Sequence, residues 1–150
     1  MAAVAVVNCV GDVVDPNTGA WLAGAYDRAQ GRPLAGAFPQ TRPLGPGQAT
    51  TLACVVTDLP LDGADLHKVA AMAHDGIARA VRPAHTLFDG DTVFAVSTGQ
   101  GARYAGLPRA LAVSQAGALA AELVAAAIRS GVLSARTLGG VPAAADIEGK

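Results

Sequence analysis

Thr50 lies where a strand begins, directly after a run too rich in Pro and Gly for regular structure, Gly45-Pro46-Gly47-Gln48-Ala49. A hydroxyl residue at such a junction becomes a chain terminus after one backbone cleavage, between Ala49 and Thr50. Its Oγ and the freed α-amine on the same residue would then form a minimal nucleophile–base pair. Further on, Phe88-Asp89-Gly90-Asp91-Thr92 places two carboxylates in a tight turn ahead of another strand. Asp-Gly is ordinary turn chemistry. The alternative is a pair of carboxylates projected from a sheet edge, able to hold an ammonium or a hydroxyl in place. Asn8, within the apolar run Val4–Val10, is expected to be a buried amide that must find hydrogen-bond partners.

Other polar residues read more simply. His67 and His74 are seven apart on a predicted helix, which separates them by about 10.5 Å along its axis. That is too far to share one metal ion, so both read as surface or helix-packing residues. His85 follows Pro83 close to the acidic pair, and a supporting role in a site is open to it. Cys9 and Cys54 sit in apolar, strand-like runs with no CxxC, which favours buried reduced thiols over a disulfide or a zinc site. Gly99-Gln100-Gly101 follows a strand but lacks the third glycine and the acidic residue of a dinucleotide loop. Gly45–Thr51 lacks the Gly-Lys pair of a phosphate loop. No cofactor and no metal are expected.

The elements that must position these residues are read in the order strand, long loop, strand, helix, strand, helix, tail. Val4–Val10 is a near-continuous apolar run, as for a strand covered on both faces. Asp15-Pro16-Asn17-Thr18-Gly19 is a turn signal. Residues 27–49, with Pro33, Pro39, Pro43 and Pro46, make an unusually long loop. Residues 50–58 form the second strand. Asp62 is the predicted N-cap of a helix that keeps its apolar spacing to Pro83. Asp91–Ser97 is a third strand, and Pro108–Ser130 a helix closed by Gly131.

A chain of 150 residues fits one domain. Hydrophobic residues make up 51%, much of it alanine, and aromatics only 4%, so the core must be small-residue and closely spaced. A net charge of −1 gives no electrostatic reason to expect nucleic acid or an anionic membrane as partner. Ala110–Ile128 is the most apolar long stretch. It contains Ser114, Gln115 and Glu122, and reads as a packed helix rather than a membrane span. Residues 1–10 lack the basic region and cleavage pattern of a signal peptide, which leads to a cytoplasmic expectation. The pattern of helices against a small sheet is α+β or layered α/β.

Several segments together resemble one family. Val6-Val7-Asn8-Cys9-Val10-Gly11-Asp12-Val13-Val14-Asp15-Pro16-Asn17-Thr18-Gly19, Thr50–Asp58, Met72–Pro83 and Phe88–Ala95 are similar, in order, to segments of the L-aminopeptidase/D-esterase (DmpA-like) family. That family includes β-aminopeptidases and 6-aminohexanoate-oligomer hydrolases. The resemblance implies an αββα sandwich that cuts itself into two associated chains, here between Ala49 and Thr50. It also implies Thr50 as nucleophile, with its freed amine as base, and Thr51 as the alternative nucleophile. Asn8 would be the oxyanion donor, and Asp89 and Asp91 the orienting and electrostatic support. Members carry Gly-Ser or Asn-Thr at the junction, whereas this chain has Ala49-Thr50. Small peptides, amides or esters are the implied substrates and a homo-oligomer the implied assembly. Members also have a long region ahead of the Asn8 strand, so residues 1–150 match the C-terminal part of the family, and the sandwich is expected to be incomplete at its N-terminal side. The competing expectation is an inactive remnant that serves as an assembly or interaction module.

Overall fold

The computed structural model describes residues 1–24, 26–27, 32–33, 49–101 and 103–147. Most of the long loop expected over 27–49 lies outside the described residues. Three strands make the central sheet: β1 (Ala2–Asn8), then Thr50–Thr57, then Thr92–Ser97. Before the second of these come β2 (Asp12–Val14), β3 (Trp21–Ala23), β4 (Tyr26–Asp27) and β5 (Arg32–Pro33), which makes Thr50–Thr57 β6. Helix α1 (Gly63–Ala80) and the short β7 (Val81–Arg82) follow, Thr92–Ser97 is β8, and α2 (Arg109–Leu133) closes the layer. The sheet order is β1-β6-β8, with β1 antiparallel and β8 parallel to β6. A parallel neighbour needs a crossover, and α1 supplies it between β6 and β8.

Each strand alternates, so the sheet has two unlike faces. Ala3, Ala5 and Val7 of β1, Thr51, Ala53, Val55 and Thr57 of β6, and Val93 and Ala95 of β8 share the side under the helices. Val69, Ala73 and Ile77 of α1 and Ala116, Ala120, Val124 and Ile128 of α2 join them in one core. The opposite face carries Val4, Val6, Leu52, Val56, Phe94 and Val96, all exposed. The expectation that the first strand is covered on both faces is therefore corrected. β1 alternates strictly, with Val4 62% and Val6 64% exposed, because the helical layer lies on one side only. Of the αββα layering, the described residues supply one helical layer packed on the central sheet, an α/β arrangement.

The helices approach closely because of their small residues. A Cβ on Gly76 of α1 would stand 2.3 Å from the Ala121 carbonyl oxygen of α2, so glycine is what permits this crossing. Asp62 is the N-cap of α1, accepting from the Asp65 amide at 2.9 Å, as expected. The second helix departs from expectation: it runs through Gly131 to Leu133 and ends at Ser134 in right-handed geometry. Gly131 is exposed and leaves the helical hydrogen bonds intact, so the residue that was expected to stop the helix only weakens its last turn. By length and composition α2 could cross a membrane. Here its Ala116, Ala120, Val124 and Ile128 lie buried in the core.

A small second sheet, β3-β2-β7, went unread in the sequence. Its strands are two or three residues long, too short to show a period. It returns the end of α1 to the turn after β1, pairing Asp12 with Arg82 and Val13 with Val81. The Asp15–Gly19 turn joins β2 to β3, with Asp15 Oδ1 accepting from the Asn17 and Thr18 amides. Asp15 Oδ2 accepts from Arg129 Nε at 2.7 Å and ties that turn to α2.

Candidate active site

Three segments meet at one end of the central sheet: the end of β1, the start of β6, and the turn that enters β8. The register sets Asn8 directly opposite Thr50. In an antiparallel pair, directly opposed Cβ atoms stand about 4.5–5.5 Å apart on one face. That face is the open one, shared with Val6 and Leu52. Asn8 is thus not a buried amide in mid-strand. It is the exposed last residue of β1, because the strand ends there and its outward parity follows that of Val4 and Val6.

The register of the β6–β8 ladder recurs three positions before its first pair, Leu52 with Thr92, in an isolated parallel bridge between Ala49 and Asp89. The Ala49 amide donates to the Phe88 carbonyl at 3.2 Å, and the Gly90 amide donates to the Ala49 carbonyl at 2.7 Å. Thr50 Oγ1 donates to that same Ala49 oxygen, also at 2.7 Å. One carbonyl oxygen therefore receives two hydrogen bonds, one of them from the hydroxyl of the next residue. Ala49 itself is buried, while Thr50 is half-buried. A Cβ on Gly90 would lie 2.8 Å from Thr50 Oγ1, so the hydroxyl rests against the bare Cα of that glycine. Gly90 was not singled out beforehand. An Asp-Gly-Asp turn announces its conformation but not which carbonyl its amide will face.

Thr51 points the opposite way. It is fully buried on the helical side, and its Oγ1 has no hydrogen-bond partner. The alternative nucleophile is a core side chain.

Asp89 and Asp91 grip backbone on either side of the Asn8–Thr50 pair. Asp89 Oδ2 accepts from the Thr86 amide at 2.9 Å and from Thr86 Oγ1 at 2.6 Å, and its Oδ1 accepts from the Val10 amide at 3.3 Å. Asp91 Oδ1 accepts from the Thr51 amide at 2.8 Å, while its Oδ2 lies 2.8 Å from His85 Nδ1. Both features of the acidic turn are present together: the turn itself, and two carboxylates that reach across the sheet end.

His74 meets His85 edge-on, with ring centroids 5.1 Å apart. Burial, and then the neighbouring His85, hold His74 below the usual imidazole range, towards its neutral form. His67 is exposed on the same helix. Cys9 donates to the Gly11 carbonyl at 3.1 Å, and burial pushes its thiol up to about 11, with the charges of Asp89, Asp91 and Asp12 adding to the shift. It stays a thiol at neutral pH, and both cysteines are free. They are half-buried rather than fully buried as expected, since Cys54 shares the open face and Cys9 follows the end of β1. Among the described residues no group of three His, Cys, Asp or Glu could hold a metal ion. Gly99 and Gly101 close the far end of β8, with the Gly101 amide donating to the Asp58 carbonyl.

Comparison with known proteins gives the family. Peptidase family S58 matches residues 1–145. An uncharacterized aminopeptidase of Mycobacterium bovis is 40% identical over 159 residues, covering 95% of this chain and 46% of the relative. An uncharacterized aminopeptidase of Mycobacterium leprae is also 40% identical, over 155 residues, 95% of this chain and 42% of the relative. A 6-aminohexanoate-oligomer endohydrolase of Paenarthrobacter ureafaciens is 34% identical over 103 residues, 64% of this chain and 29% of the relative. The chain thus spans less than half the length of these curated relatives. With a match across almost all of its residues, the chain belongs to peptidase family S58.

Proposed function

We propose that this chain carries the nucleophile half of a self-processing hydrolase that acts on small peptides, amides or esters. The observation that carries the reading is the pair of 2.7 Å contacts on the Ala49 carbonyl oxygen, from Thr50 Oγ1 and from the Gly90 amide. Thr50 Oγ1 attacks the Ala49 carbonyl carbon through a five-membered ring, and the negative charge that develops on the oxygen meets the Gly90 N–H. The C–N bond then breaks, the nitrogen takes up the proton that the Thr50 hydroxyl gave up and leaves as the α-amine of Thr50, and an ester joins Ala49 to the Thr50 oxygen. Water hydrolyses that ester, leaving residues 1–49 with a new carboxylate and residues 50–150 with a free hydroxyl and amine.

In turnover that amine, with an ordinary pKa of about 7.7–8.0, takes the proton of its own hydroxyl as the latter attacks the substrate carbonyl. Asn8, across the strand pair, is the donor placed to meet the substrate oxyanion; removing such a donor costs about 10²–10³ in kcat. Asp89 and Asp91 keep the two strand ends in register. The names of the relatives, aminopeptidase and 6-aminohexanoate-oligomer endohydrolase, support an amide substrate.

Intact mass after expression tests the reading. Two products, residues 1–49 and 50–150, are expected from the parent, and one uncut species from Thr50→Ala. An uncut parent would sink it. The second reading, a non-catalytic assembly module, draws on the open apolar face of Val4, Val6, Leu52, Val56, Phe94 and Val96. It expects an uncut chain that associates through that face.

A further inference from the structure

We propose that His85 is a positioning residue for the Thr50 site, holding Asp91 in the orientation that fixes the backbone immediately after the nucleophile. The inference rests on the reading of Thr50 given above and adds to it a residue that touches neither nucleophile nor scissile bond.

Asp91 is divided between two tasks. Its Oδ1 accepts the Thr51 amide at 2.8 Å, the N–H of the peptide bond that leaves Thr50. Its Oδ2 lies 2.8 Å from His85 Nδ1 and accepts the His85 amide at 3.3 Å. The Asp91 side chain is only 4% exposed, so water does little to hold it, and the imidazole supplies the shorter of the two contacts on its second oxygen, beside the longer one from the His85 amide. A carboxylate anchored at one oxygen swings about its Cβ–Cγ bond, whereas one held at both cannot. Thr50 is displaced with Thr51, because one peptide plane joins them.

His85 is itself held in an unusual state. Its φ is 57°, left-handed for a residue with a Cβ, in the segment between β7 and the acidic turn. Such a conformation persists where surrounding contacts dictate it, and it concentrates at functional sites. Here it aims Nδ1 at Asp91. The ring packs edge-on against His74 of α1, which burial keeps towards its neutral form. The titratable groups that face this cluster are Asp91 from the entry to β8 and His74 and Asp75 from α1. An ordinary surface histidine would be free to turn towards solvent. His85 is 38% exposed at its side chain, yet it is tied on one side to a buried carboxylate and on the other to an aromatic ring.

The test compares His85→Ala and His85→Asn in the full polypeptide. Asparagine can place an amide N–H near the position of Nδ1 and does not titrate. Two measurements are made: the rate of cleavage between Ala49 and Thr50 by intact mass, and the exchange rate of the Thr51 amide by NMR. His85→Ala is expected to slow cleavage by about tenfold or more, as small misplacements do, and to speed Thr51 exchange. His85→Asn is expected to restore both. Should His85→Ala fail to fold, His85→Gln, whose amide reaches beyond the Nδ1 position, serves as the loss variant. Cleavage and Thr51 exchange that match the parent in the loss variant overturn the proposal, as does an Asn variant no better than the loss variant. If the parent itself stays uncut, the Thr50 reading fails, while Thr51 exchange still decides whether His85 holds Asp91.

Discussion

On the helical side of the central sheet stand Ala3, Ala5, Ala53, Val55, Val93 and Ala95; on the other side stand Val4, Val6, Leu52, Val56, Phe94 and Val96. The smaller set is covered and the larger set is open. Small side chains let α1 and α2 sit close to the sheet, which suits an alanine-rich core that must gain its stability from close contact rather than from large side chains. Bulky, branched and aromatic side chains on the open face are what a second apolar layer, about 10 Å away, would need to fill the gap. The pair proposed above to do the chemistry belongs to the open face: Asn8 and Thr50 cap its edge, so whatever lies over this sheet would also wall the site. Thr51, one residue on, belongs to the covered face. A strand's period of two therefore puts two adjacent hydroxyls on opposite faces of the sheet.

The largest expected effect separates those two threonines. Thr50→Ala leaves the Ala49–Thr50 bond intact, while Thr51→Val still cleaves, as read by intact mass. Thr51→Val should also raise stability by about 1 kcal/mol in chemical denaturation, since it replaces a buried, unpartnered hydroxyl with a methyl of the same shape. Loss of cleavage in Thr51→Val together with normal folding would reverse the assignment of faces.

Next come the faces themselves. Ile77→Ala, in the fully buried layer, should cost about 2–5 kcal/mol. Val6→Thr, at an open position, should stay within about 0.5 kcal/mol. The comparison breaks if Val6→Thr costs as much as Ile77→Ala in urea titrations. The open face would then be a core in solution, covered by a second copy or another layer.

A smaller effect divides chemistry from stability. Gly90→Ala puts a methyl 2.8 Å from Thr50 Oγ1. The contact is with the end of a side chain that can rotate away, so the melting temperature should barely move. The rotation takes the hydroxyl from the Ala49 carbonyl, and cleavage should slow by about tenfold to a hundredfold. A variant that cleaves at the parent rate would show that this rotamer is not the reactive one.

Much of this layout was readable before the fold was known. The strand at Thr50–Thr57, the N-cap at Asp62, the turn at Asp15–Gly19 and the α/β class each rest on a local signal: alternation, a capping side chain, or turn residues. The acidic turn was readable too, as residues though not as contacts. Sequence periodicity could not tell that Val4–Val10 was open on one side, because an apolar run reads the same whether a layer lies above it or not. Nor could it place Asn8 opposite Thr50, which depends on the register of two strands joined through a long loop. Gly131 misled because a glycine in a helix looks the same whether the chain stops or continues. His85 stood near the acidic pair in sequence, and only the left-handed turn of its backbone converts that proximity into contact with Asp91.

The smallest expected effect is electrostatic and belongs to the covered side. The hydrogen bond from Arg129, followed by those from the Asn17 and Thr18 amides, holds the Asp15 carboxyl below its usual range. A depressed folded-state pKa contributes stability that is fully present above the unfolded value, about 3.9 for aspartate. That contribution is lost as pH falls through the lower folded value, because the unfolded chain takes up the proton first. Thermal denaturation followed from pH 6 down to about pH 3 should therefore show a decline that Asp15→Asn makes shallower. The same substitution should leave cleavage at Thr50 unchanged at neutral pH, since Asp15 ties β2 and its turn to α2 and has no contact with the open face. A variant that lost cleavage without losing stability would mean that the two faces are coupled through the β2–β7 sheet, and the separation drawn between packing side and reactive side would fail there first.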